Sequence, residues 1–337
     1  MIGCFGELLL RLSPEMNGVF IKKASVPVYI GGAELNVSTA LAKWELPVKY
    51  ITALPSNYLS QEIIESIAEK KIDTSSIKSC GERIGIYYLP QGADMKHNAV
   101  IYDRGNSSFA SLQPGDINWD TVLSGVTWFH ISAISPALNE SITAVCMEAV
   151  KAAASKNITI SIDLNYRARL WKYGKEPHEV MPGIVKYCNV IMGNVWAAEK
   201  LLGVPLEPGF THDGATKETY LHQAMQTANM IQQQFPKCKT IANTFRFDEQ
   251  SGIRYFATLR EAGNDFHSST YQSAQITDKV GSGDCFMGGL IYGLYKNNQP
   301  NDIIEYAAAA AFGKLHELGD TTSNSVEEIQ KIIAANG

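Results

Sequence analysis

No two cysteines of this 337-residue chain are neighbours in sequence. The six stand at positions 4, 80, 146, 188, 238 and 285, and the nearest pair, Cys146 and Cys188, is 42 residues apart, which leaves no CxxC redox or zinc-ribbon motif. The seven histidines form neither HExxH nor a Cys/His cluster, so no protein-ligated transition metal is expected. Charge of one sign is nowhere concentrated. With 29 Lys and Arg against 34 Asp and Glu the net charge is −5, and the basic doublets are Lys22-Lys23 and Lys70-Lys71, so no nucleic-acid partner is expected. The longest apolar run, Tyr306–Phe312, is far short of the ~20 residues of a membrane-spanning helix. The opening Met1–Glu7 lacks a basic segment and carries an early acid, so it does not read as a secretory signal; buried thiols in a reducing cytoplasm are expected. Two nucleotide fingerprints, GxxxxGK[ST] and GxGxxG, are also missing.

What is present is globular: 45% of residues are hydrophobic and 19% charged, over a length that suggests one large core with a smaller satellite. The opening Ile2–Leu12 suits a buried strand, and Val37, Ala40, Leu41 and Trp44 share one helical face after Gly31-Gly32. From Thr127 onward strands and helices alternate: Thr127–Ser132, then Asn139–Ala154; Ile158–Leu164, then Val180–Tyr187; Val190–Met192, then Tyr220–Gln234, then Thr240–Asn243. That order predicts an α/β fold with a parallel sheet flanked by helices. Gly18–Ile30 and Ile84–Arg104 are rich in Val, Ile and Tyr without a helical period, and predict strands that leave the main sheet for a small second one. The expected division is 1–17, 31–83 and 105–337 for the main domain, with 18–30 and 84–104 for a discontinuous β lid.

The segment Asp278-Lys-Val-Gly281-Ser282-Gly283-Asp284 runs straight into a helical pattern. Two glycines flanking one small residue let backbone N–H groups turn inward, and a helix start adds unpaired N–H groups and the positive end of its dipole. Such a place suits a phosphate or the charge on a transferring phosphoryl group, and Asp284 beside it could take a proton from a hydroxyl. An ordinary glycine turn with an acid near a helix start has the same residues. Gly31-Gly32 at the earlier helix start likewise allows either close approach to a small ligand or a plain strand–helix turn.

Together, Gly31-Gly32-Ala-Glu-Leu-Asn36 near the start and Asp278-x-x-Gly281-x-Gly283-Asp284 near the end resemble the two signatures of the ribokinase-like (PfkB) carbohydrate kinases. The resemblance covers nearly the whole chain and implies a Rossmann-like parallel sheet with a small β lid. Within that family the chain is most similar to 2-keto-3-deoxygluconate kinases, through Gly6-Glu7, Tyr102-Asp-Arg104, Phe129-His130 and Asp163-Leu-Asn165-Tyr166-Arg167. The resemblance implies an ATP- and Mg²⁺-dependent kinase acting on the terminal hydroxyl of 2-dehydro-3-deoxy-D-gluconate, with Asp284 as base and Gly281, Ser282 and Gly283 as anion hole. It places Gly31, Gly32, Asn36, Tyr87, Tyr102, Arg104 and Arg167 at the sugar acid, and Asn194, Asn243, Asp278, Gly281 and Gly283 at the nucleotide. Two departures stand out. The family's Asn-x-x-Glu is here Asn194 with Glu199 two positions late, and its glycine-containing nucleotide strand is replaced by Asn243–Phe247.

Read residue by residue, Arg167 follows a strand end, where ligands of open α/β sheets bind, although an arginine there can equally be salt-bridged. Tyr87 is either a substrate contact or alternate-face packing; Trp171 and Trp196 read as packing, and His130 as a hydrogen-bonded core residue. The rival functions are a fructokinase or other sugar kinase of this family, and a non-catalytic nucleotide or sugar sensor. A homodimer through the lid is a further expectation, alongside a cytoplasmic location.

Overall fold

The computed structural model describes residues 1–15, 20–21, 25–92, 100–211, 216–249 and 252–336. β1 (Ile2–Phe5) is fully buried in the main sheet, and the chain leaves that sheet at Gly6, where a Cβ would be driven into the Glu34 carboxylate. β2 (Leu9–Leu12) then belongs to a second sheet. The run Ile2–Leu12 is therefore two strands rather than one, and the main-domain segment 1–17 contributes a strand to the small sheet. Apolar patterning cannot show this break, because both halves are buried.

β3 (Val28–Gly31) pairs antiparallel with β2 and leads into α1 (Ala33–Lys43). β4 (Val48–Leu54), α2 (Tyr58–Glu69) and β5 (Ile72–Ser79) form a parallel β–α–β unit at one edge of the main sheet. β6 (Gly85–Tyr88) and β7 (Ile101–Asp103) complete a small sheet of order β3-β2-β6-β7. Of the expected lid segments, residues 18–19, 22–24 and 93–99 lie outside the described residues.

The chain then winds through α3 (Trp119–Val122), β8 (Trp128–Ser132), α4 (Glu140–Ser155), β9 (Thr159–Asp163), α5 (Pro177–Val185), β10 (Val190–Gly193), α6 (Val195–Leu202), α7 (Lys217–Gln234) and β11 (Thr240–Glu249). Side-chain caps start several of these helices: Asn139 accepts the Ile142 N–H at 2.9 Å, and Asn194 the Ala197 N–H at 2.8 Å. β12 (Gly252–Glu261), β13 (Asn264–His267) and β14 (Tyr271–Ser273) follow, then α8 (Ser282–Tyr295), α9 (Pro300–Lys314) and α10 (Val326–Asn336). The main sheet has the order β13-β12-β11-β10-β9-β8-β1-β4-β5, with β14 beside β12.

Every pairing from β5 to β11 is parallel, as the alternation predicts, but β12, β13 and β14 are antiparallel and make the sheet mixed. The sequence reading ends the strand at Asn243; it continues to Glu249 because Phe245 and Phe247 stay on one apolar face, against Tyr220 of α7. Strand residues divide between two cores. Phe129, Ile131, Ile160, Ile162 and Ile191 pack toward α4, α5 and α7, and Cys4, Tyr50, Met192 and Ala257 toward α1, α8 and α9. Among the described residues no helix is long and apolar enough to cross a membrane.

α8 and α9 approach closely because Gly289 lies on Ala307, in the run Ala307–Ala311 that is wholly buried; a Cβ on Gly289 would lie 2.7 Å from the Ala307 Cα. Gly→Ala inside a helix ordinarily stabilises by about 1 kcal/mol. Here it forces backbone apart, so Gly289→Ala is expected to lower the unfolding free energy by ~1–3 kcal/mol in urea titration.

Candidate active site

A cavity of about 910 Å³ opens at the carboxyl ends of the parallel strands, between the two sheets. Open α/β sheets place ligands there because the chain turns from strand to helix at that edge and leaves backbone groups facing outward. The small sheet contributes Leu9, Tyr87 and Tyr102 to the lining; β9 and the loop after it contribute Asp163 and Arg167; the start of α8 contributes Gly281–Asp284.

Gly281 caps α8 with φ 79°, in the left-handed region, and a Cβ there would be driven into the main-chain carbonyl of Asp320. The first intrahelical bond of α8 joins the Cys285 N–H to the Gly281 carbonyl at 2.8 Å, so the N–H groups of Ser282, Gly283 and Asp284 precede it. The Ser282 hydroxyl donates to the Ala311 carbonyl at 2.9 Å, pinning the turn to α9, so the backbone N–H groups rather than this side chain remain unpaired at the helix start.

Asp284 is buried and its Oδ2 accepts from the Asn36 Nδ2 at 2.7 Å. Burial raises its pKa to about 6, against the opposing Asn36 hydrogen bond and the Arg167 charge. Asn36 rides on α1, whose entry requires Gly32: φ there is 130°, and a Cβ would meet the Glu7 carbonyl. Two more buried carboxyls border the site. Burial raises Glu34 to about 7 although it accepts from the Ser132 N–H at 2.9 Å and hydroxyl at 2.6 Å, and burial raises Asp163 as well.

Of the expected substrate residues, Gly32, Asn36, Tyr87, Tyr102, Arg104 and Arg167 line the cavity, and Gly31 does not. Gly31 is packed against the Asp320 carboxylate, where no side chain fits. Tyr87 turns its hydroxyl to Asp320, and Arg104 commits Nε and Nη2 to Glu7, each at 2.6 Å, with the Ser107 hydroxyl on the other Glu7 oxygen. Three polar atoms of these residues are buried without a hydrogen-bond partner among the described residues: the Asn36 Oδ1, the Tyr102 hydroxyl and the Arg167 Nε. Arg167 otherwise donates Nη1 to the Tyr166 carbonyl at 3.0 Å.

On the nucleotide side Asn194, Gly281 and Gly283 line the cavity, whereas Asn243 and Asp278 lie outside it. Asn243 donates to the Gly193 carbonyl at 2.9 Å and ties β11 to β10; Asp278 is buried on Arg11 at 2.6 Å. Glu199 pairs with Lys200 at 3.2 Å, and Lys200, not Glu199, reaches the lining. Trp196 lines the cavity too, while Trp171 stacks on Tyr173. His130 is fully buried on the Ser161 hydroxyl at 3.0 Å and is pushed down to about 3, hence neutral, which suits the core role read from sequence. Sequence reasoning missed Lys279, Phe245 and Phe247, which line the cavity, and Glu7, which orients Arg104. The alternation of β11 carried the signal for the two phenylalanines; the pairing of Glu7 with Arg104 spans the fold and left none.

Because Gly281 has no room for a side chain, Gly281→Ala is expected to lower the rate of the reaction catalysed here by ~10²-fold or more while far-UV circular dichroism stays native, the loss being that of displaced N–H donors.

The pattern of the pfkB family carbohydrate kinases matches residues 1–327. A Haloferax volcanii protein named 2-dehydro-3-deoxygalactonokinase is 24% identical over 331 residues, covering 98% of this chain and 95% of that protein. The crystal structure of 2-dehydro-3-deoxygluconokinase from Thermotoga maritima superposes with a TM-score of 0.88 at 33% identity, over 99% of each chain. A fructokinase from Xylella fastidiosa with bound ATP shares the fold, with a TM-score of 0.77 at 19% identity over 99% of this chain and 98% of that one. With the family's pattern running from the first strand into the last helix, this chain belongs to the pfkB family of carbohydrate kinases and is a phosphotransferase.

Proposed function

We propose that this kinase transfers the γ-phosphoryl group of ATP to the terminal hydroxyl of 2-dehydro-3-deoxy-D-gluconate. The observation that carries the reading is one cavity holding both a buried carboxylate at a helix N-terminus, Asp284, and a buried guanidinium nitrogen without a partner, on Arg167. The likeness at 33% identity to the Thermotoga maritima 2-dehydro-3-deoxygluconokinase supports the choice of acid, and the 2-dehydro-3-deoxygalactonokinase relative makes that epimer the second substrate to assay.

At a pKa of about 6, Asp284 is about nine-tenths ionised at pH 7 and still close enough to neutrality to exchange a proton readily. It accepts the hydroxyl proton as the substrate oxygen bonds to the γ-phosphorus and the bond to ADP breaks. Asn36 fixes the carboxylate's direction, and the N–H groups at the start of α8 meet the charge on the transferring group. Arg167 takes the substrate carboxylate at the far end through its planar fork. Among the described residues no three carboxylate, histidine or cysteine side chains converge as a metal cage, and Asn194 spends its oxygen on the Ala197 N–H. Brought in with the nucleotide, Mg²⁺ would supply neutralisation of the phosphate charge. The small sheet acts as a lid over the sugar acid and as a dimer surface, in a cytoplasmic enzyme.

Asp284→Asn is expected to lower kcat by ~10²–10⁴-fold with little change in KM. Since the base form is lost as pH falls through about 6, wild-type kcat/KM should drop tenfold per unit below that pH in steady-state assays. At pH 8, Arg167→Ala should cost ~10–150-fold in kcat/KM on the sugar acid, the value of a charged hydrogen bond, and little on fructose. Equal losses on both would make Arg167 structural.

A further inference from the structure

Asp320 lies in the loop between α9 and α10, is buried, and is absent from the cavity lining, yet the small sheet and the start of α8 meet on it. Its carboxylate is taken by the small sheet. Arg11 of β2 brings Nε to 2.9 Å from Oδ2, the Tyr87 hydroxyl of β6 donates to Oδ1, and Gly31 at the end of β3 packs so close that no Cβ fits. Tyr29 of β3 covers the Arg11 guanidinium at 4.7 Å and lies against Gly319, the residue before Asp320. The main chain of the same residue faces the other way: its carbonyl oxygen occupies the space where a Gly281 side chain would be.

A second path runs alongside. Arg11 also holds Asp278 at 2.6 Å, and Asp278 accepts the Val280 N–H at 3.1 Å, one residue before Gly281. Lys314, fully buried at the end of α9, donates to the Glu317 carbonyl at 3.2 Å, and its Cε lies 3.4 Å from the place of that missing Gly281 Cβ. The turn that opens α8 is thus held by Asp320 and Asp278, whose side chains are taken by the small sheet, and flanked by Lys314 of α9.

We propose that Asp320 is a positioning residue: tied through its side chain to Arg11 and Tyr87, it holds through its main chain the Gly281 turn whose N–H groups face the transferring phosphoryl group. A buried carboxylate–guanidinium pair has a narrow range of acceptable geometries, because any separation leaves charges without water or partner. The carbonyl on the same residue moves with it. The catalytic half of this inference rests on the kinase reading above; the structural half does not.

The test compares the ligand-free wild type with Asp320→Asn, which keeps the shape and removes the charge, and with Tyr87→Phe, which leaves the Arg11 pair in place. Hydrogen exchange of the amides of residues 285–287, the first to donate within α8 and starting with the Cys285 N–H on the Gly281 carbonyl, should quicken ~10-fold or more in both variants, with α4 on the opposite face of the sheet unchanged. In steady-state assays Asp320→Asn should lose ~10-fold or more in kcat while KM for ATP and for the sugar acid moves less than about threefold, the pattern of a contact needed only in the transition state. If Asp320→Asn does not fold, exchange in Tyr87→Phe decides. Unchanged exchange at the turn in a folded variant, or faster exchange with an unaltered kcat, overturns the proposal. A wild type that phosphorylates no sugar acid sinks the substrate reading instead, and the exchange measurement then settles the role of Asp320 alone.

Discussion

Arg11 carries its charge to a place without water, and the two sheets are arranged around that fact. An unpaired guanidinium in such surroundings costs several kcal/mol, so the fold must bring carboxylates to it. It brings two from distant parts of the chain, Asp278 just before α8 and Asp320 just after α9, at 2.6 and 2.9 Å. A strand of the small sheet is thereby locked to both ends of the helix pair whose first residues line the cavity. Replacing such a cluster by apolar groups often leaves stability unchanged, whereas removing one partner costs ~3–5 kcal/mol. What the cluster contributes here is register, since one side chain of the small sheet is paired with both carboxylates.

The same low-dielectric setting decides the chemistry of the cavity. An acid in the first turn of a helix is ordinarily held below its usual pKa by the dipole, an effect of ~0.3–1 kcal/mol when exposed. At Asp284 burial works in the opposite direction and prevails, giving about 6, even with Asn36 and Arg167 favouring the carboxylate. Glu34, nearer the core, is pushed further, to about 7, although two groups of Ser132 bond to it. The site therefore limits the negative charge that phosphates entering it must face.

Much of this was legible before any coordinates. Hydrophobic periodicity is local, so the alternation from Thr127 to Asn243 showed the parallel sheet, and the glycine spacing at Gly281-x-Gly283-Asp284 showed a backbone turn feeding a helix. The strands β12, β13 and β14 escaped notice because hairpins need no intervening helix to mark them. The division of labour among polar residues escaped too. Tyr87 and Arg104 have the composition of ligand contacts, but their polar ends are engaged by Asp320 and Glu7, whereas the Tyr102 hydroxyl and the Arg167 Nε are buried without a partner among the described residues.

By itself, the sequence determined the α/β class, the two glycine-marked helix starts and the acid that follows the second, since each is set by neighbours within a few residues. The tertiary structure alone decided that β2 crosses to the small sheet, that Gly31 and Gly281 are glycines because Asp320 fills their side-chain space, and that Asn243 and Asp278 serve the frame rather than the cavity. Those assignments depend on groups tens to hundreds of residues apart meeting where water is excluded. There, what a side chain does follows from which partner satisfies its charge or hydrogen bond, and that partner is chosen by the packing of the whole chain.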